Sequence, residues 1–192
     1  MPARDPAAFA FLSARRSRPA KLFAGPVPDR TALEEILTAA LRVPDHGKLE
    51  PWRLLVLEKP AFARIADLAE ARAVELGGDA EKIAKGRGQY DKGQLAVVVI
   101  FSPKASDKIP VVEQMYSAGA LCLGLVNAAT AAGWGANWLT GWPAHDAAFC
   151  AAAFGCIEGE SVAGIVHIGT PAADAPDRPR PDLARIATWV SA

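Results

Sequence analysis

The sequence reads as an α+β fold built on one mixed sheet, and three observations predict it. Taken in order, the elements run helix, helix, strand, helix, helix, strand, helix, strand, helix, strand and tail, without the regular alternation of a doubly wound fold. Residues 94–102 hold the continuous apolar run Val97-Val98-Val99-Ile100-Phe101, the pattern of a central strand covered on both faces. A chain of 192 residues with 51% hydrophobic side chains has enough material for a sizeable core. It is expected to form one domain over 1–192, with 171–192 as an extended C-terminal segment.

Each element has a local reason. Residues 5–16 predict a helix with Asp5 as N-cap, Pro6 in the first turn, and Ala8, Phe9 and Leu12 on one face. Residues 17–28 contain three prolines and read as loop. Asp29 caps a second helix, with Leu33, Ile36, Leu37, Ala40 and Leu41 at helical spacing, and Pro44 ends it. Residues 53–58 are strand-like. Pro60 opens a third helix that Gly77-Gly78 breaks, and Asp79 restarts a short amphipathic piece. Residues 110–132 predict a long helix whose small side chains permit close packing, ended by Gly133 and Gly135. A short strand is expected over 134–139, a helix near 145–154 and a strand over 162–169. The Pro-rich stretch 171–181 then leads to an apolar tail over 183–190, expected to dock on something.

Composition excludes several function classes. Lys plus Arg and Asp plus Glu both number 21, a formal net charge of zero, so no general attraction to nucleic acid or to an anionic membrane is expected. The most apolar stretch, 118–132, is interrupted by Asn127 and Thr130 and falls short of the roughly 18–20 residues that span a bilayer. The opening Met1-Pro2-Ala3-Arg4-Asp5 and the short apolar run before Arg15-Arg16 do not make a secretory signal. Cys122, Cys150 and Cys156 form no CxxC pair and read as reduced thiols of a cytoplasmic protein. His46, His145 and His167 are scattered, and no metal site is expected. Neither a GxSxG elbow nor a Walker A loop is present.

Three sites attract chemical interest. Arg15-Arg16-Ser17 lies where a helix should end. Cations there are favoured by the macrodipole without any ligand; alternatively, a guanidinium fork and a hydroxyl make a phosphate grip. Pro44-Asp45-His46-Gly47-Lys48-Leu49-Glu50-Pro51-Trp52 joins a helix to a strand; His46 is either a capping residue or a ligand contact, and Trp52 either core or a stacking partner. Gly133-Trp134-Gly135-Ala136-Asn137-Trp138-Leu139-Thr140 precedes its strand and lacks the glycine spacing of a dinucleotide fingerprint.

Together these three sites resemble the FMN-binding signature of the nitroreductase family, in its small single-domain subgroup with a Pro-Asp-His loop. The likeness extends from the first helix to Gly169-Thr170-Pro171. It implies a nitroreductase-like fold with a mostly antiparallel sheet, and a C-terminal extension that crosses to a partner subunit. By this resemblance Arg15, Arg16 and Ser17 hold the FMN phosphate and ribityl chain, and Arg178 and Arg180 complete the phosphate site, although the same arginines also read as a solvated linker. His46 and Glu50 would contact FMN from the opposite subunit, and Trp138, Leu139 and Thr140 would line the flavin. Residues Ala128, Ala129, Thr130, Ala131, Ala132 and Gly133 correspond to a segment associated with NAD(P)H.

Two positions depart from the family pattern. Pro19 stands where a cation beside flavin N1 and O2 is usual, and Lys21 or Arg18 would supply that charge, Lys21 being preferred. Glu50 stands where an amide is usual, and a carboxylate only accepts hydrogen bonds. The resemblance therefore implies a cytoplasmic homodimer with FMN at the subunit interface, passing electrons from NAD(P)H to a small nitroaromatic, quinone or similar acceptor in ping-pong order. The chemistry would run through flavin N5, with no catalytic side chain assigned. Alternatives are a dehalogenase- or dehydrogenase-type relative, a non-catalytic FMN-binding dimer, and a cofactor-free helical module.

Overall fold

A computed structural model describes residues 3–174 and 176–191. Residues 1 and 2 of the opening run, 175 in the Pro-rich stretch and 192 at the end of the tail lie outside the described residues. Among the described residues seven α-helices and five strands follow in order: α1 (Pro6–Ala14), β1 (Phe23–Ala24), α2 (Arg30–Ala40), β2 (Trp52–Glu58), α3 (Lys59–Glu75), α4 (Ala80–Arg87), β3 (Leu95–Phe101), α5 (Val111–Ala131), β4 (Gly135–Leu139), α6 (Ala147–Phe154), β5 (Ser161–Pro171) and α7 (Leu183–Ile186).

Helix starts follow capping chemistry. Asp5, Asp29 and Asp79 each accept a hydrogen bond from the backbone N–H three residues on, at 3.0, 2.9 and 2.8 Å. Asp146 does the same for α6, at 2.8 Å to Phe149 N. The expected helix near 145–154 is therefore two pieces, a 3-10 turn over Trp142–His145 and then α6.

The sheet is ordered β1-β5-β3-β2, with β4 also paired to β5. All four pairings among the described residues are antiparallel, so the expected mixed sheet carries no parallel pair here. Strand β1 was not predicted: two residues set among prolines carry no periodicity, and they are fixed only by pairing with Thr170 and Pro171 of β5. That pairing also extends β5 past the expected 162–169.

Every residue of β3 is buried, because helices cover both faces of the sheet. Val98 and Ile100 meet Phe62, Ile65 and Phe149 of α3 and α6 on one side. Val97 and Val99 meet Leu33, Ile36, Leu121 and Leu125 of α2 and α5 on the other. Trp52 is partly buried against this second cluster, which favours core packing over stacking. Among the described residues no helix is long and apolar enough to cross a membrane. Cys122 and Cys150 are buried free thiols, each pushed up to about 12 by burial.

The tail does not dock on its own chain. Leu183, Ile186, Trp189 and Val190 are all exposed, Trp189 at 87%. On α5, Val112, Met115, Tyr116 and Leu123 also face outward. Scattered apolar exposure is ordinary, but a run along one helix together with an apolar tail marks surface that expects cover.

Candidate functional site

The segment after α1 turns sharply and runs against the sheet, with Arg18 N donating to Ala136 O of β4 at 3.1 Å. This places Arg15, Arg16, Ser17 and Pro19 along one wall of a groove of about 660 Å³. Residues 176–181 form the opposite wall, including Arg178 and Arg180. Arg16 pairs with Asp177 and donates to Pro176 O at 2.7 Å, and Arg180 donates to Ser13 O. Long-range contacts between residues some 160 positions apart thus bring all five predicted phosphate-site residues together.

The groove continues into a second cavity of about 260 Å³, with Pro19 and Asn137 common to both. Lys21 lines this second space from a 3-10 turn over Ala20–Leu22. Gln89, Lys92, Leu139 and His167 line it as well, and among the described residues no carboxylate does. Gly141 lets the end of the Gln89 side chain lie against its backbone; a Cβ there would come within 1.7 Å of Gln89 Nε2 and push that amide aside. Arg18, the alternative cation, is engaged with Asp174 at 2.8 Å, so the positive charge facing this cavity comes from Lys21 and Lys92.

One atom shows what the groove is built to hold. Arg15 Nε is buried and, among the described residues, has no hydrogen-bond partner, and Asn137 of β4 lines both spaces. Leaving such a group unmet costs about 1–3 kcal/mol. Arg15 is a charged donor, so its ligand carries an anionic or polar acceptor. His167 pairs across the strands with Asn137. It is 4% exposed, and burial holds its imidazole down at about 4, so it is neutral around pH 7.

His46 and Glu50 line neither space. They sit on an exposed loop whose backbone is in the left-handed region at Gly47, Lys48 and Glu50, with φ of 74, 52 and 48°. Asp45 holds that shape by accepting from Leu49 N and Glu50 N at 3.2 and 2.8 Å. Non-glycine residues in this region carry strain that surrounding contacts must over-determine.

Trp138 turns to the other side and lines a separate, mainly apolar cavity of about 470 Å³ with Met115, Gly119, His145 and Cys150. Thr140 is exposed and lines none of these spaces. Residues 128–133 likewise line none of them. Ala129 is core, and the Thr130 hydroxyl donates to Val126 O of its own helix at 2.7 Å. Asn137, Gln89, Lys92 and His167 were not among the predicted site residues. The available signal was a polar side chain inside an apolar strand, present at Asn137 and His167. Nothing local marks Gln89 or Lys92, which follow α4 and reach the cavity through tertiary packing.

Comparisons with known proteins identify the family and the fold. Residues 12–170 match the profile of the Nitroreductase family. The chain is 33% identical over 154 residues to an Escherichia coli K12 protein named "Putative NAD(P)H nitroreductase YdjA", covering 80% of this chain and 84% of that one. It is 35% identical over 165 residues to a Haemophilus influenzae protein named "Putative NAD(P)H nitroreductase", covering 85% and 88%. Among solved structures, a nitroreductase-like family protein from Bacillus cereus superposes with a TM-score of 0.76 at 20% identity, over 99% of this chain and 98% of that one. A nitroreductase solved in complex with FMN from Desulfovibrio desulfuricans superposes with a TM-score of 0.75 at 20% identity, over 98% and 99%. By profile, by relatives and by fold, the chain belongs to the nitroreductase family.

Proposed function

We propose that this chain is an FMN-dependent oxidoreductase that takes electrons from NAD(P)H and gives them to a nitroaromatic, quinone or similar small electrophile. The observation that carries the reading is the orphaned Arg15 Nε in a groove shared with Ser17, Arg178 and Arg180, which opens onto a cavity lined by two lysines and, among the described residues, by no carboxylate. A phosphate satisfies the guanidinium, and an electron-rich ring edge suits the two lysines. The name "NAD(P)H nitroreductase" carried by the relatives supports the same donor and acceptor class.

Arg15, Ser17, Arg178 and Arg180 hold the phosphate, with Arg16 bracing the wall through Asp177. Lys21 presents the positive charge that makes an anionic reduced ring stable. When bound, FMN supplies the two-electron carrier, exchanging hydride at N5. Leu139 and the backbone around Trp138 and Thr140 border the ring. Donor and acceptor occupy the same apolar slot in turn, which makes turnover ping-pong. His46 and Glu50 reach the ring from a second copy in a cytoplasmic homodimer. The exposed apolar face of α5 and the tail at Leu183, Ile186 and Trp189 favour that assembly.

The protein should purify with non-covalent FMN, identified after heat release. Arg15→Ala should weaken FMN binding by about one to two decades, since a charge-assisted bond contributes roughly 1.5–3 kcal/mol. Release of FAD, or no binding after incubation with FMN, would overturn the proposal.

A further inference from the structure

His46 Nδ1 lies 2.7 Å from Glu113 Oε2. Glu113 sits in the first turn of α5. An acidic side chain there is favoured by the helix macrodipole alone, but that explanation gives it no reason to meet His46. Stability gives little reason either, because the two side chains are 65% and 45% exposed and exposed pairs contribute little.

The same stretch of α5 braces the whole loop. Ser117, four residues on and so on the same face, donates to Pro44 O. Gln114 holds the neighbouring segment, accepting from Lys104 N at 2.9 Å and donating to Ile109 O at 3.2 Å. Ile109 in turn packs under Gly47, where an added Cβ would meet its side chain at 3.3 Å. The backbone on either side of His46 is therefore fixed, and Glu113 then fixes the ring.

A carboxylate can only accept, so the proton of a neutral His46 must sit on Nδ1, leaving Nε2 with a free lone pair. We propose that Glu113 is a positioning residue: it fixes His46 as the Nδ1–H tautomer and so offers Nε2 as an acceptor for an N–H or O–H of the flavin bound by a second copy of this chain. The flavin half of this statement rests on the reading given above; the tautomer half does not.

The test uses the full chain labelled with 15N-histidine at about pH 8, with His46 assigned by the loss of its signals in His46→Ala. Long-range 1H–15N correlations should show wild-type His46 with a protonated Nδ1 and a bare Nε2. In Glu113→Ala the population should move to the Nε2–H form. An unchanged tautomer would overturn the positioning role.

FMN titrations supply the second arm. Glu113→Ala and His46→Ala should each weaken binding about two- to tenfold, the worth of one ordinary hydrogen bond. Glu113→Asp should recover part of the loss. In the double variant Glu113→Ala should add nothing, because it acts only through His46. Additive losses would overturn the proposal and return Glu113 to a structural role. A wild-type protein that binds no FMN would instead sink the functional reading and the flavin contact, while the tautomer measurement still decides what Glu113 does.

Discussion

The groove at Arg15 and the loop at His46 are opposite solutions in one chain. The groove is concave and its walls come from distant parts of the sequence, yet its buried Arg15 Nε is left without a partner. The His46 loop is local, convex and exposed, and its polar groups are satisfied: Asp45 takes two backbone donors, Ser117 meets Pro44 O, and Glu113 meets the imidazole. The groove leaves interactions for a ligand to complete. The loop spends its interactions on holding a strained shape. A concave half with an unmet guanidinium and a rigid convex half suit a site assembled from two copies, each giving one of each.

The largest expected effect breaks that comparison outright. Arg15→Ala and His46→Ala chains can be coexpressed and the heterodimer isolated. If the two residues meet the same FMN from different chains, one site is intact and the other carries both lesions. The heterodimer should then bind FMN at half the wild-type stoichiometry, with wild-type affinity at that one site. Two equally weakened sites would put Arg15 and His46 in the same half and sink the composite reading.

The next effect concerns the groove alone. Burial holds His167 at about 4 in the folded chain, against an unfolded value near 6.5. Between these values the unfolded chain binds the extra proton, so stability is fully present above about pH 6.5 and is lost as pH falls toward 4. The shift corresponds to about 3 kcal/mol. Urea unfolding of the FMN-free protein from pH 7 to 4 should show that slope, and His167→Gln should flatten it. The same slope in the variant would mean that another group carries it.

The contrast between the two regions also explains what was legible in the sequence. Residues 44–52 announce themselves, because proline, glycine, histidine and charges crowd one short segment. Arg15, Ser17, Arg178 and Arg180 were legible as arginine and serine near a helix end and in a Pro-rich stretch, but only the family resemblance made them neighbours, since nothing local ties 15 to 180. Gln89, Lys92 and Asn137 were missed for the same reason: their meaning comes from which strand or turn lies beside them. The sheet follows the same rule. The apolar run of β3 was plain, whereas β1 exists only because β5 is there to pair with it.

The smallest expected effect sharpens the comparison by removing strain from the loop without removing any contact to a ligand. Lys48 holds φ at 52°. A non-glycine residue in that region costs about 1–2 kcal/mol. Glycine adopts it freely but gives the unfolded chain about 0.5–1 kcal/mol more freedom. Lys48→Gly should therefore stabilise the protein by about 0.5–1 kcal/mol, or roughly 1–4 °C in Tm. Its effect on FMN should run the other way, since a loop that no longer favours one backbone shape holds His46 less firmly. A modest rise in Tm with weaker FMN binding is the expected pair of results. A rise in both would mean that the strain is incidental to binding, and the loop would then lose its claim to be the convex half of the site.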